Sequence, residues 1–218
     1  MKIIYNIPNI IRMAGMERIL AIKANYLAGL TGMEVVIITY EQKNLPLAFD
    51  FSDKIRFYDL DIDYAACRGK NIFWNKIRRI IYTKRHQRRL EEILLKEKPD
   101  ITISMMTGRE REWLYRLKDG SKKILECHFS YFSYQNVKGI INRYKIKRFL
   151  NKIKYYDRLV VLTEEDRKDW GRKDNIVVIP NALTFYPKES ADLSIPRVIA
   201  VGDCKQYATH KFVYTPQS

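Results

Sequence analysis

The chain has 218 residues, 46% of them hydrophobic, which suffices for one sizeable packed domain or for a domain and a fragment of a second. Forty Lys and Arg against 25 Asp and Glu leave a net charge of +15, so an anionic partner is expected: a membrane surface, nucleic acid or a phosphate-bearing ligand. The three cysteines, Cys67, Cys127 and Cys204, stand far apart without CxxC spacing, which speaks against a disulfide framework or a zinc site and fits a reducing cytoplasm.

In chain order, strand-like apolar runs alternate with helical patterns, the signature of βαβ units and a parallel sheet. The first run, KIIYNI, reads as a buried strand. Interruption by Asn6, Pro8 and Asn9 denies this start the long apolar core of a signal peptide. No later run approaches the roughly 18 apolar residues of a membrane span. Met16, Ile19, Leu20, Leu27 and Leu30 then fall at helical spacing, with Gly32 as a stop. EVVIITY and KIRFYDL are the next strands, followed by a helix from Asn71 to Lys98 that ends at Pro99. DITISMM is a fourth strand, REREWLYRLKDG a short helix, and KKILECHFS a fifth strand. A basic helix covers roughly 138–154. DRLVVLT is a sixth strand, and Thr163 caps a helix with Glu164, Glu165 and Asp166 in its first turn. NIVVIP is a seventh strand. The expected fold is α/β, a Rossmann-like, doubly wound, mostly parallel sheet with its ligand loops beyond the carboxyl ends of the strands.

Four stretches carry a family resemblance. AGMERIL, Ala14 to Leu20, is similar to a GGxER segment after the first strand, and LAGLTGMEVVIIT resembles a helix leading into a GHEV-like strand. ECHFS places His128 at a strand end, and DRLVVLTEEDRKDW with NIVVIPNAL resembles closing strands that exit through a PNG or PNA linker. Over residues 1 to 202 the chain resembles the amino-terminal half of GT-B glycosyltransferases of the group 1 retaining family, glycosyltransferase family 4-like, which build bacterial cell-surface glycans. The resemblance implies a Rossmann-like acceptor-binding domain over 1–182, an interdomain linker over 183–196, and over 197–218 the start of a donor-binding domain that is truncated or frame-shifted. The family's glutamate pair eight positions apart has no counterpart, and Asp203 stands where an arginine is expected after the VG turn.

The same resemblance supplies the site expectations. The loop closed by Ala14, Gly15, Met16 and Glu17 opens a helix whose free N–H groups suit a donor phosphate or an acceptor sugar. His128 is the catalytic candidate, hydrogen-bonding the transferred sugar or steadying the backbone beside it; read from residues alone, it is a satisfied half-buried histidine. Arg12, Thr107 and Arg109 are acceptor-side candidates, although Arg109 to Glu112 equally suits a charge-balanced helix start. His86 and His210 are expected to be exposed. DLDID, Asp59 to Asp63, mimics a metal pair but is expected in a solvated loop, and no metal is called for. A nucleotide-sugar donor is expected for the complete enzyme, with no other cofactor, and a glycan or lipid-linked sugar as acceptor.

Basic charge is concentrated. Residues 68–89 carry nine Lys or Arg and residues 138–154 seven, with no acid in either stretch. Arg78, Arg79, Arg85, Lys145, Lys147 and Arg148, with neighbouring aromatics, are membrane-facing candidates, placing the protein in the cytoplasm or on the inner face of the cell membrane. The other reading packs the apolar faces on the sheet and leaves the charges solvated. A basic module binding anionic membrane or nucleic acid without catalysis is the alternative function. No RNP, zinc-knuckle or helix-turn-helix pattern supports nucleic acid, which makes that partner unlikely on sequence grounds.

Overall fold

The computed structural model of the chain describes residues 1–67, 71–135, 137–171 and 174–183. The expectations for the rest of the linker, for RVIAVGD, Asp203, Cys204 and His210 lie outside the described residues. A compact unit runs from Met1 to Ala182, and Leu183 begins a second.

Seven parallel strands form one sheet: β1 (Lys2–Asn6), β2 (Glu34–Thr39), β3 (Arg56–Asp59), β4 (Ile101–Ser104), β5 (Lys122–Glu126), β6 (Arg158–Val161) and β7 (Ile176–Val178), in the order β3-β2-β1-β4-β5-β6-β7. The order reverses between β1 and β4, where Tyr5 registers with Ile103 and Asn6 with Ser104. In open α/β sheets the ligand crevice lies at such a switch point, beyond the carboxyl ends of the strands.

Both faces of the sheet are covered, which is why its central strands are apolar without alternation. The period of two sends Ile3, Tyr5, Val35 and Ile37 to one face, under Leu20, Ala24 and Ala28 of helix α1 (Gly15–Gly29). It sends Ile4, Val36 and Ile38 to the other, under Leu90 and Leu94 of α2 (Ile72–Glu97). Small residues on α1 let that helix lie close to the sheet. Its end is made by Leu30, whose N–H bonds the Leu27 carbonyl, and by Gly32 at φ +75°.

Asn71 caps α2, its side chain accepting from the N–H groups of Phe73 and Trp74, and Lys98 in the left-handed region closes it before Pro99. After β5 come the single turn α3 (Phe132–Gln135) and α4 (Ile140–Leu150), which begins at Gly139 with φ +92°. The last helix, α5 (Glu164–Asp169), is capped as expected, the Thr163 hydroxyl accepting from the Asp166 N–H.

Three expectations are corrected. REREWLYRLKDG forms two 3-10 turns, Glu110–Glu112 and Leu114–Arg116, broken at Trp113, whose φ of −149° leaves the helical region as its side chain turns into the core. The basic helix is shorter than 138–154, breaking at Asn151 before a 3-10 turn at Ile153–Tyr155 that buries Ile153. The DLDID segment is only partly solvated. Leu60 and Ile62 are buried, while Asp59 accepts from the Thr39 hydroxyl at 3.1 Å and from the Gln42 and Lys43 N–H groups, tying β3 to the loop after β2.

Candidate active site at the sheet switch point

Two clefts open at the carboxyl end of the sheet, and Thr107, just past β4, lines both. The first, of about 300 Å³, lies on the α1 side and is bounded by Ile7, Pro8, Asn9, Arg12, Met16, Glu17 and Thr107. The loop from β1 to α1 is anchored where it leaves the sheet. The Pro8 carbonyl accepts from the Tyr40 and Glu41 N–H groups, and the Ile10 N–H donates to Gln42 Oε1 at 2.9 Å. Arg12, Ala14 and Gly15 are exposed, and Met16 is half-buried. Ala14 is extended at φ −110°, so the glycine of GGxER is not required here for a left-handed turn, and a Cβ added to Gly15 would meet nothing within 4 Å. Glu17 turns inward, and its Oε2 and Thr107 Oγ1 are buried without hydrogen-bond partners.

His128 belongs to the same face. Residues 124, 126 and 128 alternate with Leu125 and Cys127, which pack on the α2 side, so Glu126 and His128 point toward α1. His128 is half-buried as expected, its backbone partly open but its side chain only 6% exposed, with Nε2 3.0 Å from Glu126 Oε1, off the axis of a straight N–H···O bond. The Lys23 ammonium of α1 donates to the same carboxylate oxygen. Burial works against ionisation of Glu126, but His128 and Lys23 outweigh it and hold the carboxyl below its usual range. Glu126 thus links β5, α1 and His128. It escaped the sequence reading, although its position two residues before His128 on a strand places both side chains on one face.

The second cleft, of about 420 Å³, lies on the α2 side, lined by Thr83 and by Thr107, Gly108, Arg109, Arg111, Glu112 and Trp113. Its loop is tightly held. Met106 takes φ +61°, its N–H donating to the Ser104 hydroxyl and its carbonyl accepting from Arg111. The Arg109 N–H donates to the Tyr40 hydroxyl at 3.1 Å, and Tyr156 donates to the Arg111 carbonyl at 2.9 Å. Glu110 is fully buried and accepts from Ser104 at 2.7 Å, burial pushing its carboxyl up. Gly108 makes this possible, because a Cβ there would sit 1.9 Å from Glu110 Oε2.

Beneath this loop lies His86, which corrects the expectation of an exposed residue. It is 1% exposed, pairs through Nδ1 with the Tyr64 hydroxyl at 3.0 Å, and meets Trp113 edge to face at 5.0 Å. Burial, with the nearby Arg109 charge, lowers its pKa to about 3, so it is neutral. The helical spacing that puts His86 in line with Leu90, Leu94 and Glu97 was the available signal.

The basic helices pack on the sheet only in part. The first turns of α2 leave Ile72, Phe73, Trp74, Ile80 and Ile81 exposed, alongside exposed Arg78, Arg79 and Arg85, and only His86, Leu90, Leu94 and Glu97 are buried. Ile140, Ile141 and Tyr144 of α4 are likewise exposed, as are Lys145, Lys147 and Arg148, with Phe149 buried. Among the described residues, no three His, Cys, Asp or Glu side chains gather as metal ligands, and no helix is long and apolar enough to cross a membrane.

The fold and both clefts can be set beside known proteins. No curated protein matches the chain. A solved lipopolysaccharide outer core galactosyltransferase, WaaB in its apo form, matches at 18% identity and TM-score 0.55 over 84% of this chain. The chain spans 46% of that structure's length, so it corresponds in extent to about half of that enzyme. Weaker likenesses are Glycyrrhiza uralensis UGT73P12 complexed with glycyrrhetinic acid 3-O-monoglucuronide (11% identity, TM-score 0.46, 79% of this chain and 47% of that one), and a structure described as trehalose-6-phosphate from E. coli bound with UDP-2-fluoro glucose (14%, 0.42, 78% and 42%). The family model of Glycosyltransferase Family 4 matches residues 13–184, a span that includes His128, the second cleft, and Met16, Glu17 and Thr107 of the first. The chain belongs to that family, and its fold is that of the matching part of the galactosyltransferase.

Proposed function

We propose that this chain is the acceptor-side domain of a retaining glycosyltransferase that moves a hexosyl unit from a nucleotide-sugar donor to a cell-surface glycan or a lipid-linked sugar. The observation that carries the reading is the convergence of Arg12, Met16, Glu17 and Thr107 on one cleft at the switch point, with His128 on the same face of the neighbouring strand. In this reading the cleft seats the acceptor, and His128 steadies the transferred sugar without attacking it. The helix start at Gly15 presents N–H dipoles to the leaving diphosphate, a stabilisation that needs no metal. Donor selection belongs to a second domain, so the chain is inactive on its own.

The exposed apolar and aromatic side chains of α2 and α4, interleaved with arginine and lysine, support peripheral attachment to an anionic bilayer, with each basic residue near the surface contributing about 1 kcal/mol. That attachment would hold the clefts next to a lipid-linked acceptor.

The test is a transfer assay with labelled nucleotide-hexoses and membrane-bound acceptors. The isolated chain should give no turnover. A fusion carrying a family-4 donor-binding domain after Ala182 should transfer sugar, and His128→Ala should slow it about 100-fold or more, in line with the loss of one positioned polar group. Turnover by the isolated chain, or an active fusion indifferent to His128, would overturn the reading.

A further inference from the structure

We propose that the cleft between α2 and the loop after β4 is a binding site for an anionic group, a phosphate or a carboxylate, carried by the acceptor. It is distinct from the cleft at the first loop and shares only Thr107 with it.

The argument is one of charge and satisfaction. Two guanidinium groups line this cleft, and among the described residues neither forms an ion pair with a carboxylate. Arg111 is already engaged, donating to the Met106 carbonyl at 2.6 Å and lying 4.7 Å from the centre of the Phe149 ring. Arg109 has only a ring beneath it, its Cζ 4.3 Å from the centre of the Tyr64 ring. Stacking fixes a guanidinium plane without using its N–H groups, which leaves an oriented fork for a bidentate partner.

The two acids nearby do not supply that partner. Glu112 is bound by Lys152 at 2.5 Å. Glu110 is sealed beneath the loop and bonded to Ser104, with burial pushing its carboxyl up. The indole Nε1 of Trp113, which is 5% exposed, is a further buried donor without a partner. A half-buried cleft with surplus positive charge and an idle donor set attracts an anion.

The role of this cleft in transfer rests on the acceptor-side reading, but the binding does not. The isolated chain is titrated with inorganic phosphate, glucose 6-phosphate, glucuronate and glucose at constant ionic strength, following the backbone amide shifts of 107–113. We expect saturable shifts there with one class of anion and none with glucose; the stronger of the phosphate and glucuronate arms identifies the source. Arg109→Gln should weaken that binding about tenfold or more, as loss of a charged donor implies. Arg109→Lys, which keeps the charge and loses the fork, should also weaken it, whereas the charge-matched Arg79→Gln on the exposed face of α2 should not.

Equal weakening by Arg79→Gln, shifts that never saturate, or equal binding of glucose would show diffuse attraction to a basic protein or a neutral sugar site, and would overturn the proposal. Binding without transfer in the fusion would sink the proposed function and leave this site standing. Transfer without anion binding would do the reverse.

Discussion

At Glu126 a single carboxylate faces two cationic or potentially cationic side chains inside the protein, Lys23 and His128. Removing one member of such a group is costly because it leaves the other charge buried alone. Glu126→Ala is expected to lower the unfolding free energy by about 3 kcal/mol, and adding Lys23→Met should recover much of that loss; urea unfolding of the single and double variants measures both. His86 gives a pH signature. Folded, it binds a proton only near pH 3; unfolded, it does so near 6.5. The unfolded state therefore holds more protons between those values, and stability falls as pH drops through that window, at up to about 1.4 kcal/mol per pH unit. His86→Phe should flatten this slope in urea midpoints taken from pH 6.5 to 4, and an unchanged slope would show that other groups set the acid response.

At the scale of elements, the loop after β4 depends on Gly108. Any side chain there collides with the buried Glu110 carboxyl, so Gly108→Ala should cost about 1–3 kcal/mol and broaden the amide signals of 107–113, and a variant as stable as the parent would contradict the tight packing described. The seven strands and the caps at Asn71 and Thr163 were legible in the sequence because apolar runs, cap residues and Pro99 act locally. The two 3-10 turns and the burial of His86 were not, since both follow from contacts distant in sequence: Tyr40 and Tyr156 hold the backbone at Arg109 and Arg111, and Tyr40, Tyr64 and Trp113 enclose His86. Arg12, Thr107 and Arg109 were singled out from loops beyond strand ends, and each lines at least one of the clefts. Glu126 and Trp113 needed the fold, because only the assembled sheet shows which partners they face.

For the molecule as a whole, the surplus of positive charge is displayed chiefly on α2 and α4 together with exposed rings. Binding to vesicles containing anionic lipid should weaken about tenfold or more in the Trp74→Ala, Arg78→Gln double variant and fade as salt rises, read by sedimentation. Preference for RNA or DNA over such vesicles, with a steep salt slope, would instead favour the non-catalytic binding module. The central claim, an acceptor-side domain, is tested most directly by titrating the isolated chain with short glycans and with nucleotide sugars while following backbone amides. The account predicts that nucleotide sugars reach at most Gly15 and His128, and weakly, whereas glycans shift to saturation the signals of Arg12, Met16, Glu17 and Thr107, which nucleotide sugars leave nearly unmoved. Nucleotide sugars saturating those same residues, or glycans moving none of them, would contradict it.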